Sequence, residues 1–456
     1  MRIRAALVVI LCFAPAMTAA CSNGHTQAVP IAPAAQSDIT APHPHTSTPA
    51  LYGTTVEGGL TRLCKRSEHF EQSGCGTIFA VTTSGSETVL YRFLGSPDGS
   101  HPAGGMTAGA GHVLFGTTLT GGQGTTCHSG CGTVFAFGPI DRTPTEGVIY
   151  DFRGGKDGDE PNAPVTIAAD GTIYGTTARG GEASCRCGTA YALRRSASGY
   201  VKTTLYSFRG SNDGSIPLGG LIADARGTLY GATEEGGGSS ACSRGCGTLF
   251  SLSPSASGYR ETVLYRFHGG RTDGARPNRL VYDGTTFFGS TLSGGIDNCF
   301  AGQCGMVFTL ARRNGSFALT YVHVFGGRNL GGNPSGVMLL DKGILFGSTA
   351  QWGGATLPSV FRMAPSTGGG YTFKNVYWSS DSTAINGGLV ADANGVLYGT
   401  MPDGGHDFEC FFHLGCGQVF ALTPAGGGYT EQTLYEFQQY HQDGTIPNGG
   451  LLLIDR

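Results

Sequence analysis

One short sequence recurs along this chain and limits what the chain can fold into. The run LYGTTVEGG begins at Leu51, and closely related runs begin at positions 114, 173, 229, 287, 345 and 397. Successive copies start 52 to 63 residues apart, a period that is typical of a supersecondary unit repeated in tandem. The fold is therefore largely a question about one unit and about how seven such units are joined.

Each unit contains four short apolar runs that are separated by turn signals. The LYGTT run is followed by a glycine-rich loop, by a run such as CGTLFSL, by a run such as TLYSF, and, after a turn such as SNDGSIP, by a run such as GGLIAD. The runs are rich in Val, Leu, Ile, Phe, Tyr and Thr and are bounded by Gly, Asp, Asn and Pro, which is typical of strands. The sequence therefore predicts an all-β fold, a seven-bladed β-propeller with four-stranded blades.

The two ends of the repeat region predict how the ring closes. The last unit stops after a lone GGLLLID run, whereas the first unit has no such run before its LYGTT. We therefore expect the C-terminal strand to pair with the N-terminal strand, which completes the seventh blade and removes two exposed strand edges. By analogy with other propellers, the GGL strand is innermost, and the cysteine loops then share one face with the DGxxP turns. Loops on a rigid scaffold commonly carry function, so we take this cysteine face as the candidate functional face.

The N-terminal fifty residues have a different composition from the repeats. Residues 1–20 combine a basic start, an apolar stretch and a small-residue cleavage site, which predicts an export signal peptide. Cys21 follows directly, so the segment also reads as a lipoprotein signal with Cys21 as the lipidated residue, while ordinary cleavage after Ala20 is the alternative. Residues 21–50 are rich in Pro, Ala, Ser and Thr and predict a tether, and residues 51–456 form the propeller domain.

Twelve cysteines fall two to a unit within the same loop, and the unit that begins at Leu345 lacks both members. A disulfide needs both cysteines, so the absence of both from one unit indicates that the two are bonded to each other in the remaining units. An exported chain also enters an oxidising compartment, and we therefore predict six local disulfides. Zinc binding is the alternative, but the loops lack a matching His or second pair at a regular offset. The predicted pairs are Cys64 with Cys75, Cys127 with Cys131, Cys185 with Cys187, Cys242 with Cys246, Cys299 with Cys304, and Cys410 with Cys416. The close spacing of Cys185 and Cys187 leaves a redox role for that pair as a secondary interpretation.

Composition excludes one class of partner. Only 13% of the residues are charged and the formal net charge is -3. No basic stripe is present that could follow a phosphate backbone, so we expect no nucleic-acid partner. Any membrane contact is expected only through a lipid on Cys21.

Two groups of residues are candidates for binding chemistry. The first is the aspartate of the DGxxP turns, for which calcium binding is weighed against a structural role in the turn, the latter being favoured because the residue repeats around the ring. These aspartates are Asp98, Asp157, Asp213, Asp273 and Asp443. The second group lies in the enlarged loops of the first and last units, which ring closure makes neighbours.

This seam group contains histidines and carboxylates that could bind zinc or perform acid–base chemistry, and solvated loop side chains are the simpler interpretation. Its members are Glu68, His69, Glu71, His406, Asp407, Glu409 and His413, of which the three histidines are the candidate metal ligands. Aromatic side chains in the same loops and in the cysteine-free loop could stack on sugar rings or could form small loop cores. They are Phe70, Trp352, Phe408, Phe411 and Phe412.

The succession LYGTT, GG, CGTVF, VLYxF, GGxDGxxP and GGL resembles the GloVer tandem repeat of bacterial exported proteins, a family with varied surface anchors. The resemblance covers essentially all of 51–456 and implies export and surface display, but it implies no activity that could be assigned to particular residues. Because the sequence ends in LLLIDR, we expect Cys21 to be the anchor.

Two classes of function remain open. We favour an exported, surface-tethered, non-catalytic binding or scaffold module at the cell envelope, with an envelope protein or a glycan as partner, no cofactor and a monomeric state. The protein would otherwise be periplasmic or secreted. The alternative is an exported enzyme that acts on polysaccharide or another extracellular substrate through the seam group, since propellers host both classes.

Overall fold

The chain folds into seven antiparallel sheets arranged in a ring. The computed structural model describes residues 50–454, apart from 60–63, 65–73, 183, 297–303, 327–331, 337, 351–356, 380–383, 407–409, 411–414 and 439–442. The export signal, Cys21 and nearly all of the tether lie outside the described residues, so those assignments stay predictions. None of the helices in the described part of the chain is long and apolar enough to span a bilayer.

The strands follow the predicted order within each blade, and we number the blades 1 to 7 along the chain. Blades 1 to 3 contain β1 (Ala50–Thr55), β2 (Thr77–Thr82) and β3 (Glu87–Arg92); β4 (Met106–Ala108), β5 (Leu114–Thr118), β6 (Thr133–Gly138) and β7 (Thr145–Asp151); and β8 (Thr166–Ile167), β9 (Ile173–Thr177), β10 (Thr189–Ser196) and β11 (Gly199–Ser207). Two short 3₁₀ turns lie at Ala110–His112 and Gly155–Asp157.

Blades 4 and 5 contain β12 (Leu221–Ala223), β13 (Leu229–Thr233), β14 (Thr248–Ser255) and β15 (Gly258–Arg266); and β16 (Gly274–Pro277), β17 (Val281–Tyr282), β18 (Thr286–Gly294), β19 (Met306–Arg313) and β20 (Ser316–Val324). Blades 6 and 7 contain β21 (Leu339–Asp341), β22 (Ile344–Ser348), β23 (Ser359–Pro365) and β24 (Tyr371–Trp378); and β25 (Leu389–Ala391), β26 (Leu397–Met401), β27 (Gln418–Ala425) and β28 (Gly428–Glu436). The last strand, β29 (Leu452–Ile454), returns to blade 1.

Ring closure occurs as the sequence predicts. Strand β29 pairs antiparallel with β1, with Ala50 opposite Ile454 and Tyr52 opposite Leu452. The strand order of blade 1 is therefore β29-β1-β2-β3, which matches the inner-to-outer order of the other blades. The protein is a seven-bladed β-propeller, as predicted.

The hydrophobic core is divided among the seven interfaces between neighbouring blades. Each of seven clusters of buried side chains combines residues from two adjacent blades. Across the closed seam, for example, Leu51 and Phe79 of blade 1 pack with Val419 of blade 7. Burial of apolar surface between blades therefore stabilises the ring itself, at about 25 cal/mol per Å² of apolar surface removed from water.

The glycine of each LYGTT run has a packing role that repeats in all seven blades. In blade 2, a Cβ placed on Gly116 would lie 2.4 Å from Cζ of Phe135 on the neighbouring strand. A β-bulge between Val134 and Phe135 accompanies this contact. The same close approach joins Gly53 with Phe79, Gly175 with Tyr191, Gly231 with Phe250, Gly289 with Phe308, Gly347 with Phe361, and Gly399 with Phe420. The glycine makes room for a buried aromatic ring.

The aspartates of the DGxxP turns bond within their own blade. Tyr206 donates its hydroxyl to Asp213 at 2.6 Å, and the Arg209 N–H donates to the same carboxylate at 3.0 Å. Equivalent tyrosine–aspartate bonds join Tyr91 with Asp98, Tyr150 with Asp157, Tyr265 with Asp273, and Tyr435 with Asp443. These bonds favour the structural interpretation of the aspartates, in which the side chain fixes the conformation of the turn.

Candidate functional site

Each described disulfide lies between the second and third strands of its blade, and we call this side of the propeller the cysteine face. Five predicted bonds are present: Cys64–Cys75, Cys127–Cys131, Cys185–Cys187, Cys242–Cys246 and Cys410–Cys416. Cys304 is also disulfide-bonded, and its predicted partner Cys299 lies outside the described residues. The disulfide interpretation of these loops is therefore confirmed for the five described pairs.

Most of the candidate binding residues of the sequence analysis cannot be placed. Phe70, Trp352, Phe408, Phe411 and Phe412 lie outside the described residues, as do Glu68, His69, Glu71, Asp407, Glu409 and His413. His406 is described, and its Nδ1 lies 3.0 Å from Oε1 of Glu436 with an 89% exposed side chain. The aromatic and metal assignments therefore stay predictions.

The second cysteine of each pair bonds to a strained residue in the crossing that leads to the channel wall, and we call these six residues the rim. In blade 4 the carbonyl of Cys246 accepts a hydrogen bond from the N–H of Arg276 at 2.8 Å, and Arg276 has a φ of 59°. The same bond, with a φ between 51° and 59° at the donor, joins His101 to Cys75, Glu160 to Cys131, Ile216 to Cys187, Asn333 to Cys304, and Ile446 to Cys416. Left-handed backbone at residues other than glycine costs about 1–2 kcal/mol each. The disulfide loops thus fix the backbone that forms the rim.

One side of this rim carries a series of ion pairs. Arg276 donates from Nε to Oε1 of Glu234 at 2.8 Å. Three further pairs lie on the same face in blades 3 and 4: Arg179 with Glu160 at 2.9 Å, Arg186 with Asp159 at 2.6 Å, and Arg244 with Glu235 at 3.3 Å. Burial raises the pKa of Glu160 to about 7, because desolvation disfavours the charged carboxylate.

The channel behind the rim is a cavity of about 820 Å³ to which all seven blades contribute. Its wall is formed by the residues that lead into the innermost strands, including Gly105, Pro164 and Gly219. Backbone segments of adjacent blades touch around this ring: a Cβ on Gly219 would lie 3.1 Å from Cα of Arg279, and one on Gly449 would lie 2.7 Å from N of Gly105. The volume lies within the range of about 300–1,000 Å³ that is typical of small-molecule sites.

Sequence reasoning missed both the rim ion pairs and the charged side chain of Arg279, which lines the channel. A signal for Arg279 was present in the sequence. Aligning the runs PAGG, PLGG, PNRL and PNGG places an arginine where the other three have glycine. The ion pairs had no such signal, because their partners come from different loops.

Removal of one disulfide should destabilise the fold measurably. We expect the variant Cys242→Ala/Cys246→Ala to lower the free energy of unfolding by about 2 kcal/mol, the chain-entropy value for so short a loop. Urea unfolding measures this change, with Ser257→Ala on the opposite face as control. An unchanged free energy of unfolding would contradict a stabilising role for the bond.

Comparison with known proteins places the chain among propellers and within one repeat family. A search of the curated proteins found no match. A candidate 6-phosphogluconolactonase from Bacteroides fragilis is similar in structure, with a TM-score of 0.54 and 13% identity over 91% of this chain and 100% of that chain.

A hypothetical selenium-binding protein from Sulfolobus tokodaii has a TM-score of 0.53 and 11% identity over 89% of this chain and 92% of that chain. A protein from Lactobacillus plantarum has a TM-score of 0.50 and 14% identity over 89% and 99%. These likenesses concern the fold alone. The sequence model of the Gloeobacter/Verrucomicrobia repeat matches residues 50–303, so this chain belongs to that repeat family, as its repeated LYGTT unit predicted.

Proposed function

We propose that this protein is an exported, non-catalytic binding module of the cell envelope, and that it binds an envelope protein or a surface glycan through the cysteine face. The observation that carries the proposal is the bond between each second cysteine and the strained rim residue. It couples loops of variable sequence to a backbone of fixed geometry, which is the arrangement expected of a preorganised binding surface.

The disulfides also support the proposed location. Five bonds in one chain are typical of proteins that fold in an oxidising compartment outside the cytosol. Anchoring through Cys21 is also part of the proposal. Cys21 itself lies outside the described residues. The family match supports a shared repeat architecture and leaves the ligand open.

A charge-reversal experiment tests which face binds. The variant Lys156→Glu/Arg244→Glu alters the cysteine face, where the two side chains are 80% and 47% exposed. Arg226→Glu/Lys342→Glu makes the same change of charge at exposed positions in turns of the opposite face. We expect the first variant to bind isolated envelope particles of the producing bacterium about tenfold more weakly than wild type, and the second to bind normally.

Two results would overturn the proposal. The first is binding that depends equally on both faces, or no binding of the wild type to any envelope component. The second is turnover of an envelope polysaccharide by the purified protein, abolished by His406→Ala, which would favour the enzyme alternative instead.

A further inference from the structure

One position of the channel wall carries a different type of residue in blade 5 than in the other six blades. Each crossing between blades contains a proline, for which one unit has Ile385 instead. The residue two places after it is small in six units and is an arginine in the unit that enters blade 5. In chain order these residues are Gly104, Ala163, Gly219, Arg279, Gly336, Gly387 and Gly449. A residue that repeats around the ring serves the fold, whereas a single exception needs another explanation.

Close packing between blades explains the small residues, but it does not explain the arginine at position 279. Gly219, Gly387 and Gly449 do not have positive φ, so their backbone conformation does not require glycine. A Cβ on Gly219 would instead lie 3.1 Å from Cα of Arg279, and one on Gly449 would lie 2.7 Å from N of Gly105. These contacts keep neighbouring blades close. The guanidinium of Arg279 is an addition to the channel wall that the ring architecture does not need.

The charge of Arg279 is not neutralised by the protein. Glu234 is the single carboxylate among the described residues that line the channel, and Arg276 already binds it. Arg279 has no hydrogen bond or ion pair with any described residue. Desolvation lowers the pKa of its guanidinium, although arginine remains charged at any ordinary pH. An unpaired cation in such a place favours an anion from outside the chain.

Two polar side chains of the same sector also lack partners. Ser335 precedes the inner strand of blade 6 and Asn386 precedes that of blade 7, and both line the channel with Arg279. Ser335 Oγ and Asn386 Oδ1 are buried and have no hydrogen-bond partner among the described residues. Hydrogen bonds join these neighbouring blades. Asn278 of blade 5 donates to the carbonyl of Pro334, and Ser348 of blade 6 donates to the carbonyl of Ile385 at 2.6 Å.

We propose that the central channel is a binding site for a small hydroxylated carboxylate of the sugar-acid class, whose carboxylate pairs with Arg279. The planar guanidinium recognises a carboxylate through two parallel hydrogen bonds. A cavity of about 820 Å³ holds one sugar ring together with ordered water. This site lies inside the channel and is separate from the partner surface of the proposed function.

Titration calorimetry with glucuronate tests the site, with methyl glucoside as the neutral probe and sulfate as the inorganic anion. We expect glucuronate to bind at least about tenfold more tightly than either comparison compound. Arg279→Gln should weaken glucuronate binding by about tenfold or more. Arg260→Gln removes the same charge from the exposed outer strand β15 and should leave binding unchanged.

The variant Arg279→Gly restores the residue found at most equivalent positions, so it tests the same point should the glutamine variant misfold. The proposal is overturned if glucuronate binds no better than methyl glucoside, if sulfate binds as tightly as glucuronate, or if both Arg279 variants retain wild-type affinity. Envelope binding by Arg279→Gln distinguishes the two proposals, because it should persist even when glucuronate binding is lost.

Discussion

Raising the pH through the neutral range is expected to destabilise this protein, and the substitution Glu146→Gln is expected to remove much of that effect. Glu146 is 8% exposed on β7, and its Oε1 has no hydrogen-bond partner among the described residues. It lies near Asp98 of the preceding blade, which accepts the hydroxyl of Tyr91 at 2.5 Å. Burial, and then the charge of Asp98, raise the pKa of Glu146 to about 8.

The sign of the effect follows from this raised pKa. The folded state holds a proton on Glu146 that the unfolded chain releases near pH 4.5. The stability associated with that proton is fully present below pH 4.5 and is lost as the pH rises through about 8. At one pKa unit per 1.36 kcal/mol, ionisation of this buried group costs on the order of 4 kcal/mol by pH 8.

The same arrangement repeats at other blade interfaces. Burial raises the pKa of Glu87 to about 8 beside Asp443, and that of Glu261 to about 7 beside Asp213. In blade 3 the equivalent position is Lys202, which instead pairs with Asp157 at 2.9 Å. The lysine shows that a cation at this position can pair with the neighbouring aspartate. A glutamate at the same position is accommodated beside the aspartate only when it is protonated.

Urea unfolding of wild type and Glu146→Gln at several pH values between 5 and 9 measures the effect. Burial lowers the pKa of His101 to about 3 and that of His323 to about 4, so these residues destabilise the fold as the pH falls below 6.5. The readout is therefore the difference between variant and wild type at each pH, in which the histidine contribution cancels and which should grow in favour of the variant from about pH 5 to about pH 8. Glu182→Gln, a 69% exposed control, should show no such trend. A difference that stays constant with pH would refute the role of Glu146.

The second large effect is expected where the repeated glycine meets the buried ring. Phe135→Ala should lower the free energy of unfolding by about 3–5 kcal/mol, because the side chain is fully buried. Gly116→Ala should also destabilise, by about 1–3 kcal/mol, because its Cβ would lie 2.4 Å from the Phe135 ring. Gly147→Ala in the same blade places its Cβ in open space and should be close to neutral.

A double variant separates close packing from backbone strain. Gly116 does not have a positive φ, so the cost of Gly116→Ala arises from the ring. In the Phe135→Leu background the same substitution should therefore cost less than it does in wild type, and a double-mutant cycle from urea unfolding measures the coupling. Additive effects would mean that the ring is not what the glycine accommodates.

The repeated features of the fold could be predicted from the sequence, and the single features could not. Seven copies of one pattern specify strand number, order and ring closure, since each copy supports the same assignment. The contact of Gly116 with Phe135 depends on the register of β5 and β6, in which the two residues lie opposite each other, and a bulge shifts β7 against β6 between Val134 and Phe135. Local pattern does not determine such a shift.

The candidate site was harder to predict because it depends on contacts between units. The rim residues have positive φ although Ile216 and Ile446 are β-branched, and no propensity rule would place them there. Their conformation is imposed by the cysteine carbonyls across the loop. Arg279 was visible as an exception in the alignment of the units, but its missing partner emerges only from the surrounding side chains.

Closure of the ring by β29 also sets the order in which strand edges are covered as the chain folds. Strand β1 reaches β2 across a single loop, whereas its other edge waits for Leu452–Ile454 at the far end of the repeats, and contacts of such long sequence separation form slowly. Until then blade 1 presents open backbone donors and acceptors that could pair with a neighbouring chain. Folding therefore passes through an aggregation-prone period that ends when the last described strand docks.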